Sequence, residues 1–189
     1  MNLYWQLVVF FFAAINPASV ALAMAKLSDD RDIRARWRVP VIAIAIAIAV
    51  TVYAAAAFGA ERLLDGLDIE PESFRVAAGI VMAAVGVSAI WRGAPDLEGD
   101  EVGVRAAVFP LALPLLVSPA GLVAALSYGA DDGGGKALGA LVVSLAIAGI
   151  LLIVPPARKM AALDAAARIT GALLVAVAAG LVVDGVRAI

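Results

Sequence analysis

The sequence predicts an all-α membrane protein of six transmembrane helices, arranged as two inverted three-helix repeats with broken first and fourth helices. Three observations carry that prediction. The 189 residues are 64% apolar, with a mean hydropathy of +1.02, far from the roughly half-apolar, quarter-charged usage of soluble domains. The apolar residues fall into long runs that match the ~20 residues needed to cross a bilayer's hydrocarbon core. Two of those runs, 102 positions apart, carry the same interruption, a small polar residue followed by Pro-Ala: Asn16-Pro17-Ala18 and Ser118-Pro119-Ala120.

The first span runs from about Leu3 to Lys26. Ala21-Leu22-Ala23 resembles a signal-peptide cleavage site, but Met1 to Gln6 holds no Lys or Arg, while Lys26, Arg31, Arg34, Arg36 and Arg38 follow the apolar run. Basic residues after the span mark a retained helix with its N-terminus outside. The second span, Val39 to about Gly59, alternates Ile and Ala. Both are apolar, so the alternation has no solvent-facing side and the length reads as a helix. The third, Phe74 to about Trp91, follows an acidic connector with Glu61, Asp65, Asp68, Glu70 and Glu72.

A polar linker at 93–104, with Asp96, Glu98, Asp100 and Glu101, separates a first repeat at 1–92 from a second at 105–189. The fourth span, Ala106 to about Tyr128, carries the second break and ends in a turn from Gly129 to Gly135. The fifth covers about Ala137 to Val154, stopped by Pro155-Pro156, and the sixth about Ile169 to Val186. Trp5, Trp37 and Trp91 fit the aromatic belts at the two interfaces.

With the N-terminus outside, the inner loops hold Lys26, Arg31, Arg34, Arg36, Arg38, Arg92, Arg105, Arg158, Lys159 and Arg168. The outer ones hold Arg62, Arg75, Lys136 and Arg187. Ten basic residues against four is a positive-inside bias, which puts both termini outside. An odd number of spans per repeat makes the second enter the membrane from the opposite side. Gly79 and Gly171, and Gly93 and Gly185, match at a constant offset of 92.

Proline lacks an N–H and clashes with the carbonyl four residues back, so Pro17 loosens the helix near Ala13 and Pro119 near Leu115. Proline is also a favoured first helical residue, and Asn and Ser are favoured caps before it. The two breaks therefore read as fresh helix starts in mid-membrane, which inversion brings face to face. Helix N-termini present free N–H groups and partial positive charge to a carboxylate, while released carbonyls accept from an ammonium group or coordinate a cation. Asn16, Pro17, Ala18, Ser19, Ser118, Pro119, Ala120 and Gly121 form this candidate zwitterion site. A proline kink that only adjusts packing is the competing reading. Asp184 is a possible ion-coupling carboxylate in the last span; near the C-terminus and Arg187, it also reads as an interfacial cap or local ion pair.

The chain has no cysteine and no histidine. This excludes disulfides, thiol redox chemistry, His-ligated zinc and imidazole proton shuttles. No cofactor or metal is expected, and with no paired carboxylates in the spans an enzyme is not expected either.

Phe11-Phe12-Ala13-Ala14-Ile15-Asn16-Pro17, Pro110-Leu111-Ala112-Leu113-Pro114-Leu115-Leu116-Val117-Ser118-Pro119-Ala120-Gly121, and Arg168-Ile169-Thr170-Gly171 through Val183-Asp184-Gly185 resemble the MarC family of integral membrane proteins, which includes SnatA-type small neutral amino acid transporters. The resemblance covers essentially the whole chain. It implies six helices in the plasma membrane and alternating-access transport of glycine- or alanine-sized amino acids coupled to a proton or sodium gradient, with the segments Asn16 to Ser19 and Ser118 to Gly121 as substrate site. The chain departs from the family pattern at Ala18 or Ser19, where glycine is usual, and at Gly180, where glutamine is frequent. Expected partners are a small amino acid, the coupling ion and the lipid bilayer, with no nucleic acid. An exporter of another small solute and a non-transporting membrane scaffold are the alternatives.

Overall fold

A computed structural model of the chain describes residues 3–30, 35–93, 107–153 and 160–189, and every regular element among them is helical. In chain order these are α1 (Leu3–Ile15), α2 (Pro17–Asp30), α3 (Ala35–Gly66), α4 (Pro71–Arg92), an irregular helical segment α5 (Ala107–Leu116), α6 (Pro119–Asp132), α7 (Gly134–Ile153) and α8 (Met160–Ala188). Five stretches pass as single apolar spans, and α5 with α6 forms a sixth, bent by 62°. The linker beyond Gly93, Pro155-Pro156 and the basic side chains from Lys26 to Arg38, with Arg105, Arg158 and Lys159, lie outside the described residues.

Helix ends differ from the sequence expectation where packing extends them. α3 continues to Gly66 because Ala60 and Leu64 keep its buried face going. α8 starts at Met160, well before Ile169, and uses that extra length to bring Asp164 and Arg168 against the end of α4. The turn expected over Gly129–Gly135 shrinks to Gly133, which takes a positive φ of 87°. Gly129 instead lies within α6, against the backbone of Ala57 on α3, where any side chain would collide.

The packing repeats itself between the halves. α1 with α2, α3 and α4 correspond to α5 with α6, α7 and α8. α5 packs on α3 as α1 packs on α7, α6 on α3 as α2 on α7, and α6 on α4 as α2 on α8; α3 meets α7 and α4 meets α8. Such exchange of equivalent contacts is what a pseudo-two-fold axis in the membrane plane produces.

The α4–α8 seam shows it residue by residue. The helices run antiparallel, with Gly79 against Val182, Gly86 against Val175 and Gly185 against Val76. A Cβ on Gly79 would fall 2.9 Å from the Ala178 carbonyl, and one on Gly171 would fall 3.0 Å from that of Gly86. An offset of 92 turns Gly79 into Gly171 and Gly86 into Ala178, so these are one contact seen from the two repeats. In a membrane, close backbone approach over small residues is a main source of helix association.

Candidate functional site

The two breaks are built differently. Asn16 takes a left-handed φ of 49°, a region that Asn tolerates better than most residues. Its Oδ1 accepts from the Ser19 N–H at 3.2 Å and so caps α2. Its own N–H still donates to the Phe12 carbonyl at 3.0 Å, and its carbonyl accepts from the Val20 N–H at 3.2 Å. The helical path is barely interrupted, and Tyr4–Ala23 reads as one span. The second break is deep. Phe109 and Leu113, each preceding a proline, are extended within α5, as residues before proline tend to be. Ser118 is extended too and caps α6 by accepting from the Gly121 N–H at 3.0 Å.

The breaks meet. Ser118 Oγ donates to the Ala14 carbonyl at 2.9 Å, joining the fourth span to the first. The Tyr53 hydroxyl on α3 donates to the Leu116 carbonyl at 2.8 Å and accepts from the Ser118 N–H at 3.3 Å. Ala14 and Leu116 are equivalent positions, 102 apart. At each, a hydroxyl from another span takes up the carbonyl freed by the break. Ser144 on α7 likewise donates to the Val8 carbonyl on α1 at 3.0 Å, and Asn16 Nδ2 donates to Ala167 on α8 at 3.0 Å. The carbonyls of Ala14 and Leu116, each one residue beyond the positions where the sequence predicts loosening, are thus occupied by the protein itself.

From this centre a cavity of about 760 Å³ extends to the C-terminal end of α4. Ala14, Ile15, Asn16, Ser19 and Val20 line it from the first span, Pro114, Leu115 and Ser118 from the fourth, and Val85, Ser88, Ala89, Arg92 and Gly93 from α4. Arg168 pins the end of α4 by donating to the Ile90 carbonyl at 2.6 Å while pairing with Asp164 at 2.8 Å. Arg92, exposed at the cavity mouth, has no ion-pair partner among the described residues. At the other membrane face, Arg75 on α4 pairs with Asp131 on α6 at 2.7 Å, and the rings of Phe10 and Tyr128 meet edge to face at 4.6 Å.

Of the residues singled out from the sequence, Asn16, Ser19 and Ser118 line the cavity, whereas Pro17, Ala18, Pro119, Ala120 and Gly121 do not. The Ser19 and Gly121 amides are held by their caps. Gly121 makes room for the Tyr53 ring, whose hydroxyl sits where a Cβ would be. Asp184 is exposed near the end of α8, apart from the cavity and unpaired among the described residues. Tyr53, Ser88 and Arg92 are additions that sequence reading did not place in the site. Their signal in sequence is faint, a hydroxyl or a terminal arginine within an apolar run.

The hydroxyls of Ser19 and Ser88 have no hydrogen-bond partner among the described residues and are available to a solute. With a guanidinium at the mouth and small apolar walls at Ala14 and Ala89, the cavity can take a small polar molecule with a carboxylate end. Among the described residues no group of three or more His, Cys, Asp or Glu could hold a metal ion.

The UPF0056 membrane protein PH0214 of Pyrococcus horikoshii is 28% identical to this chain over 135 residues, which is 69% of the chain and 67% of that protein. No solved structure matches the chain. The description MarC family integral membrane protein matches it over residues 1–189. A membrane-embedded bundle built around two joined helix breaks is thus the setting of the cavity, and the chain belongs to the MarC family of integral membrane proteins.

Proposed function

We propose that this protein is a secondary transporter, not an enzyme, and that it moves small neutral amino acids across the plasma membrane by alternating access, driven by a proton or sodium gradient. The observation that carries the reading is the cavity reaching from one end of α4 to the joined breaks, with two hydroxyls along it that have no partner among the described residues. Broken helices at equivalent positions of an inverted repeat are where transporters place their substrates. The Ser19 and Ser88 hydroxyls hold the solute's polar end, and Arg92 draws in its carboxylate. With both termini outside, the cavity faces the cytoplasm.

Counterflow of labelled glycine and alanine into liposomes holding the purified protein tests this. Uptake is expected, and Ser88→Ala should raise the half-saturating concentration by about tenfold, the worth of one hydrogen bond of ~1.4 kcal/mol. Absence of uptake across all small amino acids would overturn the amino acid assignment, and a competition panel in the same vesicles identifies another exported solute.

One observation favours a second reading, a non-transporting scaffold. The carbonyls of Ala14 and Leu116 and the amides of Ser19 and Gly121 are satisfied within the protein, as a packing kink requires. On that reading Ser88→Ala changes nothing measurable and a partner protein co-purifies.

A further inference from the structure

The two halves match in most of their contacts, and one of the differences between them coincides with the cavity. α1 packs against α8, yet α5, the counterpart of α1, makes no comparable contact with α4, the counterpart of α8, among the described residues. The cavity fills that gap, between Pro114 and Leu115 on one wall and Val85 and Ser88 on the other. An inverted repeat whose halves pack differently has a mirror arrangement, in which the halves have exchanged conformations.

That arrangement can be read off the sequence offsets. In it α5 closes onto α4 and α1 parts from α8. Adding 92 carries the α4 wall onto α8, so that Val85 becomes Val177, Ser88 becomes Gly180 and Arg92 becomes Asp184. The exposure pattern already fits. Ser88 and Arg92 are exposed on α4, and Gly180 and Asp184 are exposed in the same register on α8. Asn16 and Ser118, 102 apart, exchange places and stay at the floor of both cavities.

We propose that the polar centre has a second access route, along α8 to the opposite membrane face, which opens as the first closes, with Asp184 at its mouth where Arg92 stands now. The inference rests on the transporter reading for its purpose but on the packing asymmetry for its geometry. The route is lined by Val177 and Gly180. Gly180 has open space around it, with nothing within 4 Å of a Cβ built there, so a side chain fits without disturbing the present state.

The natural absence of cysteine makes the test direct. Ser88→Cys, Gly180→Cys and, as an exposed control at the same depth on another face of α8, Ala179→Cys are reconstituted and treated with a membrane-impermeant maleimide. Ser88→Cys and Gly180→Cys are expected to react from opposite membrane faces, each at least tenfold faster than Ala179→Cys. In the doubly substituted chain, a bulky adduct placed first at position 88 should slow reaction at position 180 at least tenfold, because it holds the first route open. Reaction of Gly180→Cys no faster than the control while Ser88→Cys reacts would overturn the proposal. So would reaction at 180 unslowed by the adduct at 88, which would mean independent surfaces. Counterflow in the same vesicles separates the two readings. Coupled labelling without uptake leaves the second route standing and removes the transport assignment, whereas uptake without coupled labelling does the reverse.

Discussion

Tyr53 is wholly buried, and its hydroxyl spans the second break, donating to Leu116 and accepting from Ser118. Replacing it with Phe keeps the ring and removes both bonds, leaving a buried carbonyl and amide unpaired at a cost of about 1–3 kcal/mol. The expected readout is a lower unfolding temperature in detergent. Gly121→Ala should cost a similar amount, about 1–3 kcal/mol, by overpacking against the same ring. Because its new methyl would meet the Tyr53 hydroxyl, the double variant should lose less than the sum of the singles. Additivity would show that the two residues do not share a contact. The caps at Asn16 and Ser118 were legible in sequence because a cap bonds a residue three positions on. Tyr53 was not, since its partners lie 63 and 65 positions away and nothing local distinguishes its hydroxyl from an interfacial anchor.

At the scale of elements, the two breaks share residues but not geometry. Pro17 acts alone in the first, and Asn16 absorbs the interruption in a single left-handed residue. The second combines Pro119 with Pro110 and Pro114 upstream, two extended residues and a 62° bend. Equal short motifs therefore predicted equal breaks, and the difference came from prolines outside the shared motif. Spans were legible from length and hydropathy; the continuation of α6 through Gly129 was not, because it depends on the Ala57 backbone lying alongside. The α4–α8 seam is the tightest pairing of elements, and it tolerates no side chain at Gly79 or Gly171. Leucine at either should lower the unfolding temperature sharply, by at least the ~1–3 kcal/mol of core overpacking. The same change at Gly180, where space is open, should leave it within error. Equal effects at all three would disconnect the seam from stability.

For the whole molecule, six spans place the two termini on one membrane face, and the antiparallel seam fixes which end of α4 lies opposite them. Arg168 near the start of α8 bonds Ile90 near the end of α4, so the end of α8 lies at the other face. Single cysteines at Ile189 and Arg92 should react with an impermeant maleimide from opposite sides of sealed vesicles, and reaction from one side would contradict the antiparallel pairing. The inversion itself was legible, because an odd number of spans per half determines it. The cavity was not. It lies between α5 and α4, which lack the contact that α1 makes with α8 among the described residues, a difference between two halves that no pattern within either half records.

The glycine seam between α4 and α8 also bears on how the protein responds to cold. Burial of apolar surface out of water weakens on cooling, since its free energy is largely entropic and carries a large heat-capacity change. Here the surfaces that meet at Gly79, Gly86 and Gly171 exchange lipid contact for backbone contact, and water is on neither side of that exchange. Their attraction is dispersion between closely approached chains, which has no such temperature dependence. The join between the two halves keeps its strength at temperatures where a water-driven interface of the same size would loosen.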